Sequence, residues 1–159
     1  MFDLPPRIIV LLVAMLPFSE LRGAIPLAIK VYELAPIEAF ILGVVGNIIP
    51  VVFLLFLLGP LEKRLRIIKV FDLFFDRLFS RTRKKHSERI DKYGALGLVT
   101  FVAIPLPITG AWTGVAATYV FGIKKRYAFP AIVLGVLLAG IVVTLATLGV
   151  INGILPYVI

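Results

Sequence analysis

Two ionisable residues, Glu20 and Arg22, lie within an apolar stretch near the N-terminus, and Gly23 and Pro26 follow them. An isolated charge at the centre of a bilayer costs roughly 2.5 to 3.5 kcal/mol, so such residues usually face a partner or a cavity and serve a function. The Arg22 guanidinium offers a planar set of donors that matches phosphate or carboxylate, and the Glu20 carboxylate can balance that charge or take up a proton. Gly23 allows close approach of another backbone. We therefore predict a binding site at these four residues.

A second stretch, residues 105–114, carries no charge but has the polar groups that could complete this site. It supplies hydroxyls, backbone donors and the only tryptophan of the chain. A helix that begins at Ala111 would point its free N–H groups towards the same cavity as a helix that begins near Ala24, so two helix N-termini could converge on one negative group. The candidate binding residues of this stretch are Pro105, Pro107, Thr109, Gly110, Trp112 and Thr113.

Several of these residues also have a purely structural interpretation. Glu20 and Arg22 can form a buried pair that supports only the fold, and Trp112 can be a packing residue or an interfacial anchor. Asn47 and Pro50, in the next apolar segment, can form a polar contact and a kink near the site. The sequence leaves these alternatives open.

Composition predicts an integral membrane protein. The 159 residues are 60% hydrophobic and 16% charged, and the mean hydropathy is +1.06, which is more apolar surface than a soluble domain of this size can bury. We predict a single membrane domain over residues 1–159. The first six residues include Asp3 and no basic residue, so we do not expect a cleaved secretory signal.

The residue types argue against several classes of function. The chain has no cysteine, and its one histidine, His86, lies in a basic run where a solvated loop residue is expected. Because no cluster of His, Cys and carboxylates exists, we predict no metal and no cofactor, and because Glu20 has no second carboxylate beside it at membrane depth, we predict no enzyme activity. The net charge of +8 is concentrated between apolar segments, which favours membrane topology over nucleic-acid binding as its cause.

The apolar segments form two halves whose sequences match weakly but in order. Laying Gly23 over Gly110 also pairs Tyr32 with Tyr119, and such a match suggests an internal repeat. The predicted units are repeat 1 at about 5–60, a connector at 61–92 and repeat 2 at about 93–159.

Each repeat is predicted to contain a re-entrant helical hairpin and one spanning helix. Arms of about ten residues measure roughly 15 Å as helix, half of a hydrocarbon core of about 30 Å, so they reach the middle of the membrane and turn back. The predicted first arms are Arg7–Leu16 and Leu96–Ile104, the breaks are Pro17–Pro26 and Pro105–Gly114, and the spanning helices are Ile37–Leu58 and Ala128 to about Leu148.

The distribution of charge predicts the orientation. Residues 62–92 hold eleven Lys and Arg against five Asp and Glu, and Lys124 to Arg126 follow the second hairpin. Because basic loops tend to stay cytoplasmic, we place both groups on the cytoplasmic side, which requires a second hairpin that re-enters and makes the two halves inverted. Interrupted helices in inverted repeats are typical of transporters. Residues Leu61–Ser80 have the pattern of an amphipathic helix on the cytoplasmic surface.

Two stretches resemble the two signatures of the small multidrug export protein family: Glu20-Leu21-Arg22-Gly23-Ala24-Ile25-Pro26 and Pro105 to Gly114. The resemblance runs over nearly the whole chain. That family is similar, more distantly, to the DedA or VTT superfamily. This similarity implies paired re-entrant hairpins and the transport or scrambling of phospholipids and polyprenyl-phosphate lipids.

The resemblance also implies roles for individual residues. It places the acidic and basic residues of the first hairpin at Glu20 and Arg22, and the second hairpin at Pro107 to Gly114. DedA members typically have an arginine in the second hairpin, whereas this chain has none between Lys92 and Lys124. A singly charged anionic headgroup is therefore a better match than one that several arginines must hold.

Three functions follow as hypotheses. The first is a transporter or scramblase that passes an anionic lipid headgroup through a midplane cavity between the hairpins, where Arg22 binds the anion and Glu20 couples its movement to protonation. The second is a proton-coupled small multidrug exporter of amphipathic cations, although Arg22 beside the carboxylate disfavours a cation. The third is a membrane scaffold without transport. The expected location is the cell membrane, with several crossings, and the expected partners are anionic membrane lipids and further copies of the chain.

Overall fold

The computed structural model describes residues 4–65, 88–105 and 109–153. Within these ranges the chain is helical and contains no strand, which confirms the all-α prediction. The described residues form six helices, which are α1 (Pro6–Met15), α2 (Glu20–Lys30), α3 (Pro36–Leu65), α4 (Glu88–Ala103), α5 (Ala111–Phe121) and α6 (Lys125–Gly153).

Helices α3 and α6 are long and apolar enough to cross a membrane. Their candidate spans, Pro36–Leu57 and Lys125–Gly149, both have a mean hydropathy of 2.7, and only 39% and 44% of the most apolar part is buried. The core helix of a soluble protein would be mostly buried, whereas more than half of each span faces outward. Large apolar side chains cover these outer faces, among them Ile41, Phe53, Phe56, Leu134, Leu138 and Leu145. The outer faces of these two helices therefore suit lipid.

The first helix break is shorter than predicted. We expected it over Pro17–Pro26, but α2 begins at Glu20 and leaves only four residues between the helices. A loop of two to five residues is enough to join two packed antiparallel helices. Pro26 lies inside α2, where it leaves the carbonyl of Arg22 without its usual amide donor. Glu20, Arg22, Gly23 and Pro26 thus belong to a helix and not to a loop.

The second half also departs from the predicted boundaries. Helix α5 begins at Ala111 as predicted, but α4 has sixteen residues, about 24 Å, where an arm of about ten was expected. Hydropathy marks only its apolar part, Lys92–Ala103, and the helix continues into the polar flank. Helix α3 continues past its predicted end at Leu58 for the same reason, because hydropathy does not mark helical residues beyond the apolar part. Of the predicted amphipathic helix Leu61–Ser80, residues 66–80 lie outside the described residues.

Packing joins the helices into two groups that contact each other. Helices α1 and α2 pack on each other and on α3, and α4 and α5 pack on each other and on α6. The contacts of α3 with α6, of α2 with α6 and of α3 with α5 connect the groups. Small residues allow this close approach of helix backbones, as is usual in membranes. Buried alanines at the contacts are Ala14, Ala24, Ala28, Ala111, Ala131 and Ala139.

Candidate functional site

The first helix break positions Glu20. The Ser19 hydroxyl donates to the Val13 carbonyl at 2.6 Å and holds the turn against the end of α1. The amide of Gly23 donates to the Ser19 carbonyl at 2.8 Å, which starts α2 directly after the turn. Glu20 itself has a φ of 47°, in the left-handed region that non-glycine residues rarely adopt. Backbone strain of this kind is concentrated at functional sites. Here it occurs at Glu20, a charged residue that is only 6% exposed.

The second helix break brings the start of α5 against this carboxylate. The Thr109 hydroxyl donates to the Ile104 carbonyl at 2.5 Å, and the Thr113 hydroxyl donates to the Gly110 carbonyl at 3.1 Å. Gly110 is buried, and a Cβ placed on it would overlap both carboxylate oxygens of Glu20. This approach is possible only because the residue is a glycine.

Two hydrogen bonds connect the breaks across more than ninety residues of sequence. The Trp112 backbone N–H donates to Glu20 Oε1 at 3.3 Å, and the Trp112 indole Nε1–H donates to the Met15 carbonyl at 3.2 Å. Arg22 Nη2 lies 4.0 Å from Glu20 Oε2. The carboxylate therefore has the N-terminus of α5 on one side and a guanidinium on the other, both of which favour negative charge.

A cleft of about 350 Å³ opens beside this pair. The Arg22 side chain is 21% exposed and the Glu20 side chain is 8% exposed, so the guanidinium is the more accessible of the two charges. The remaining walls combine two hydroxyls, an indole and apolar groups, which together suit a polar or anionic head with an apolar body. The cleft is lined by Pro17, Phe18, Glu20, Arg22, Thr109, Trp112, Thr113 and Ala116.

The structure brings together six of the ten residues that the sequence singled out: Glu20, Arg22, Thr109, Gly110, Trp112 and Thr113. Gly23 packs against the Ser19 side chain, where a Cβ would lie 2.9 Å from Ser19 Cβ, and it does not line the cleft. Pro26 and Pro105 are half-buried and are also not among the lining residues. Pro107 lies outside the described residues.

Several residues of the site were not among the predicted binding residues, and Phe18 and Asn47 are the most informative of them. Phe18 lines the cleft and is 98% exposed, and an aromatic residue inside a Pro-containing turn was the available signal for it. Asn47, interpreted above only as a polar contact, is 1% exposed and lines a narrow gap together with Glu20, Arg22 and Gly110. Neither amide atom of Asn47 has a hydrogen-bond partner within the described ranges.

Comparison with known families gives one match. A family model described as "Putative small multi-drug export protein" matches residues 20–142, from the first residue of α2 into α6, and so includes the second break. The chain belongs to the small multidrug export protein family. No curated protein and no solved structure matches the chain. Membership of the small multidrug export family, together with the two long apolar helices, supports a role in membrane transport.

Proposed function

We propose that this protein is a membrane exporter of small amphipathic compounds and that the cleft between the two helix breaks is its substrate-binding site. The hydrogen bond from the Trp112 N–H to Glu20 carries the proposal, because it joins the breaks of both halves at one cleft. The family supports export, and the apolar outer faces of α3 and α6 support a membrane location.

Matching contacts in the two halves support an inverted repeat. A Cβ added to Gly46 of α3 would lie 2.6 Å from Ala14 Cβ of α1, and a Cβ added to Gly135 of α6 would lie 2.7 Å from Val102 Cβ of α4. Gly46 and Gly135 are 89 positions apart, and Ala14 and Val102 are 88 positions apart. Both separations are close to the 87 positions between Gly23 and Gly110. The proposed pseudo-symmetry therefore relates α1–α3 to α4–α6.

Helix lengths support re-entrant hairpins. Helices α1, α2 and α5 have ten or eleven residues, roughly 15 to 17 Å, which is about half of the hydrocarbon thickness. In the proposed arrangement α1–α2 and α4–α5 enter from opposite sides and meet near the midplane, as in transporters with broken helices. The connector 61–92 and Lys124 to Arg126 then lie on the cytoplasmic side. The distant similarity to the DedA or VTT superfamily stays a prediction that agrees with this arrangement.

In the proposed mechanism the polar head of the substrate enters the cleft while its apolar body stays beside Phe18 and the bilayer. Arg22 binds the head. The hydroxyl oxygens of Thr109 and Thr113, whose protons are donated to backbone carbonyls, accept hydrogen bonds from it. Glu20 exchanges a proton as the two breaks separate and close again, which couples transport to a proton gradient. The apolar flanks of the small chain favour assembly with further copies, and anionic lipids are the expected neighbours.

The test is efflux of a fluorescent amphipathic dye from proteoliposomes with an imposed proton gradient. Arg22→Gln should lower the rate at least about tenfold, because it removes the accessible charge of the cleft. Arg7→Gln is the matched control, since Arg7 is a 68% exposed arginine that pairs with Glu38 away from the cleft. Equal rates for the two variants would contradict the proposed site.

Transport of an anionic lipid headgroup is the second candidate function. The observation that favours it is the greater exposure of Arg22 than of Glu20 towards the cleft. Liposome flipping of a fluorescent anionic phospholipid, compared with its choline analogue, tests it with the same two arginine variants. Flipping that depends on Arg22 and prefers the anionic lipid would support this candidate. A protein that moves neither dye nor lipid would be a scaffold.

A further inference from the structure

The surroundings of Glu20 have the composition of an anion-binding site. The first turn of the eleven-residue helix α5 provides backbone donors, and Arg22 provides a guanidinium. Helix N-termini and arginine are the groups that proteins use to bind phosphate and carboxylate. The group that occupies these donors is the carboxylate of Glu20, a negative group supplied by the chain itself.

Glu20 holds this position loosely. Its distance of 3.3 Å to the Trp112 nitrogen lies just beyond the roughly 2.7 to 3.2 Å of ordinary N–H···O hydrogen bonds. Its distance of 4.0 Å to Arg22 Nη2 exceeds the roughly 2.7 to 2.9 Å usual between charged groups. Its backbone is in the left-handed region, which is strained for a residue with a side chain. A carboxylate with long contacts on a strained residue can be displaced by an anion that fits better.

Asn47 offers the displaced carboxylate another partner. Asn47 is 99% buried and borders the same gap as Glu20, where its amide already interacts with the carboxylate without the geometry of a hydrogen bond. A buried polar group without a hydrogen bond is costly, so its presence calls for an explanation such as a functional role. The amide N–H₂ is a donor that suits a carboxylate.

We infer that Glu20 is a tethered substitute for the substrate headgroup. An anionic head of phosphate or carboxylate type displaces Glu20 from Trp112 and Arg22. Asn47 then binds the released carboxylate. This inference deepens the proposed function, since it assumes that the cleft receives the substrate. It names the chemistry of the head and makes Asn47 a positioning residue that acts through Glu20.

Trp112 makes the exchange measurable, because it is the only tryptophan of the chain and lies at the site. The full chain in nanodiscs of zwitterionic lipid is titrated with dodecyl phosphate and with dodecyltrimethylammonium, and tryptophan fluorescence is recorded. We expect a saturable change with dodecyl phosphate and no saturable change with the cation. Inorganic phosphate and nanodiscs that contain phosphatidic acid show whether a free anion or a bilayer lipid is enough.

Three variants test the exchange. Glu20→Gln should bind dodecyl phosphate at least about tenfold more tightly, because the competing anion is gone, and Arg22→Gln should bind it at least about tenfold more weakly. Asn47→Val should weaken binding when Glu20 is present and leave it unchanged in the Glu20→Gln background, since Asn47 acts through Glu20. Glu38→Gln, on the Arg7 pair, is the matched control and should not alter binding.

Several outcomes would overturn the inference. These are a preference for the cation, weaker binding in Glu20→Gln, or an equal loss from Asn47→Val in both backgrounds. If Asn47→Val does not fold, Asn47→Asp decides, because it keeps the shape and should weaken binding by repelling the released carboxylate. Exchange without dye efflux would reject only the export function, whereas efflux without anion binding would reject only the inference.

Discussion

The break between α1 and α2 is followed by both charges of the cleft, whereas the break between α4 and α5 contains no ionisable residue. Both are nevertheless held in the same way, because a hydroxyl in each break donates back to a carbonyl near the end of the preceding helix. Helix α2, which follows the first break, supplies the charged side chains, whereas the second break and the start of α5 supply space and backbone donors. The comparison teaches that one cleft can take its charged side chains from one half of the chain and its backbone donors from the other.

The largest expected effect comes from removing the space in the second break. Gly110→Ala should abolish dye efflux and lower the free energy of unfolding by about 1 to 3 kcal/mol, because the new Cβ would overlap the Glu20 carboxylate. Efflux from proteoliposomes and thermal unfolding of the detergent-solubilised protein are the measurements.

The matched control for this variant is Gly97→Ala in α4. A Cβ at Gly97 meets nothing within 4 Å, so this change should be neutral or stabilise the helix by up to about 1 kcal/mol. If the two alanine variants behave alike, the two breaks do not need their close approach.

The next effect tests whether the two halves are built alike. Gly46→Ala and Gly135→Ala should each lower the free energy of unfolding by about 1 to 3 kcal/mol. The first places a methyl group against the backbone and a Cβ of α1, and the second places one against the backbone and a Cβ of α4. Thermal unfolding measures both, with Gly97→Ala again as control. A large loss from one and none from the other would show that the proposed repeat does not extend to packing.

Much of the fold could be predicted from composition and hydropathy. The two long apolar segments correspond to α3 and α6, and the start of α5 at Ala111 follows from the Pro- and Gly-rich stretch before it. The start of α2 could not be predicted, because Pro26 suggested a longer break and only the packing of α2 on α1 and α3 allows a helix to continue through it. The polar N-terminal part of α4 was missed because hydropathy does not mark where helical geometry begins.

The site was predicted in part for similar reasons. Charge in an apolar segment identified Glu20 and Arg22, and residue type identified Thr109, Gly110, Trp112 and Thr113 as candidates. Gly23 and Pro26 share the same motif, but helical geometry turns them away from the cleft. The importance of Asn47 depends on its burial next to Glu20, which is a tertiary property that its position in an apolar helix does not reveal.

A smaller effect is expected from the hydroxyls that hold the breaks. Ser19→Ala and Thr109→Val should each cost about 0.5 to 1.5 kcal/mol of stability, since each removes one hydrogen bond to a carbonyl. Dye efflux should fall more than stability does, because the loss loosens the turn that aims the site. Thr100→Val is the control, since Thr100 makes the same kind of bond to Leu96 within α4, and it should leave efflux unchanged. Efflux that falls equally in all three variants would remove the distinction between the breaks and an ordinary helix.

The smallest expected change in stability is at Asn47, and it sharpens the comparison of the halves most directly. Asn47 follows Gly46 as Val136 follows Gly135, and both side chains border the gap beside Glu20. Asn47→Val therefore gives the first half the residue that the second half already has. Because the amide is buried without a hydrogen bond, its replacement by an apolar group should leave the thermal stability of the substrate-free protein unchanged or raise it slightly. A substantial loss of stability would mean that Asn47 supports the fold in the substrate-free state, whereas an unchanged or higher stability together with slower efflux would mean that the amide is retained for transport.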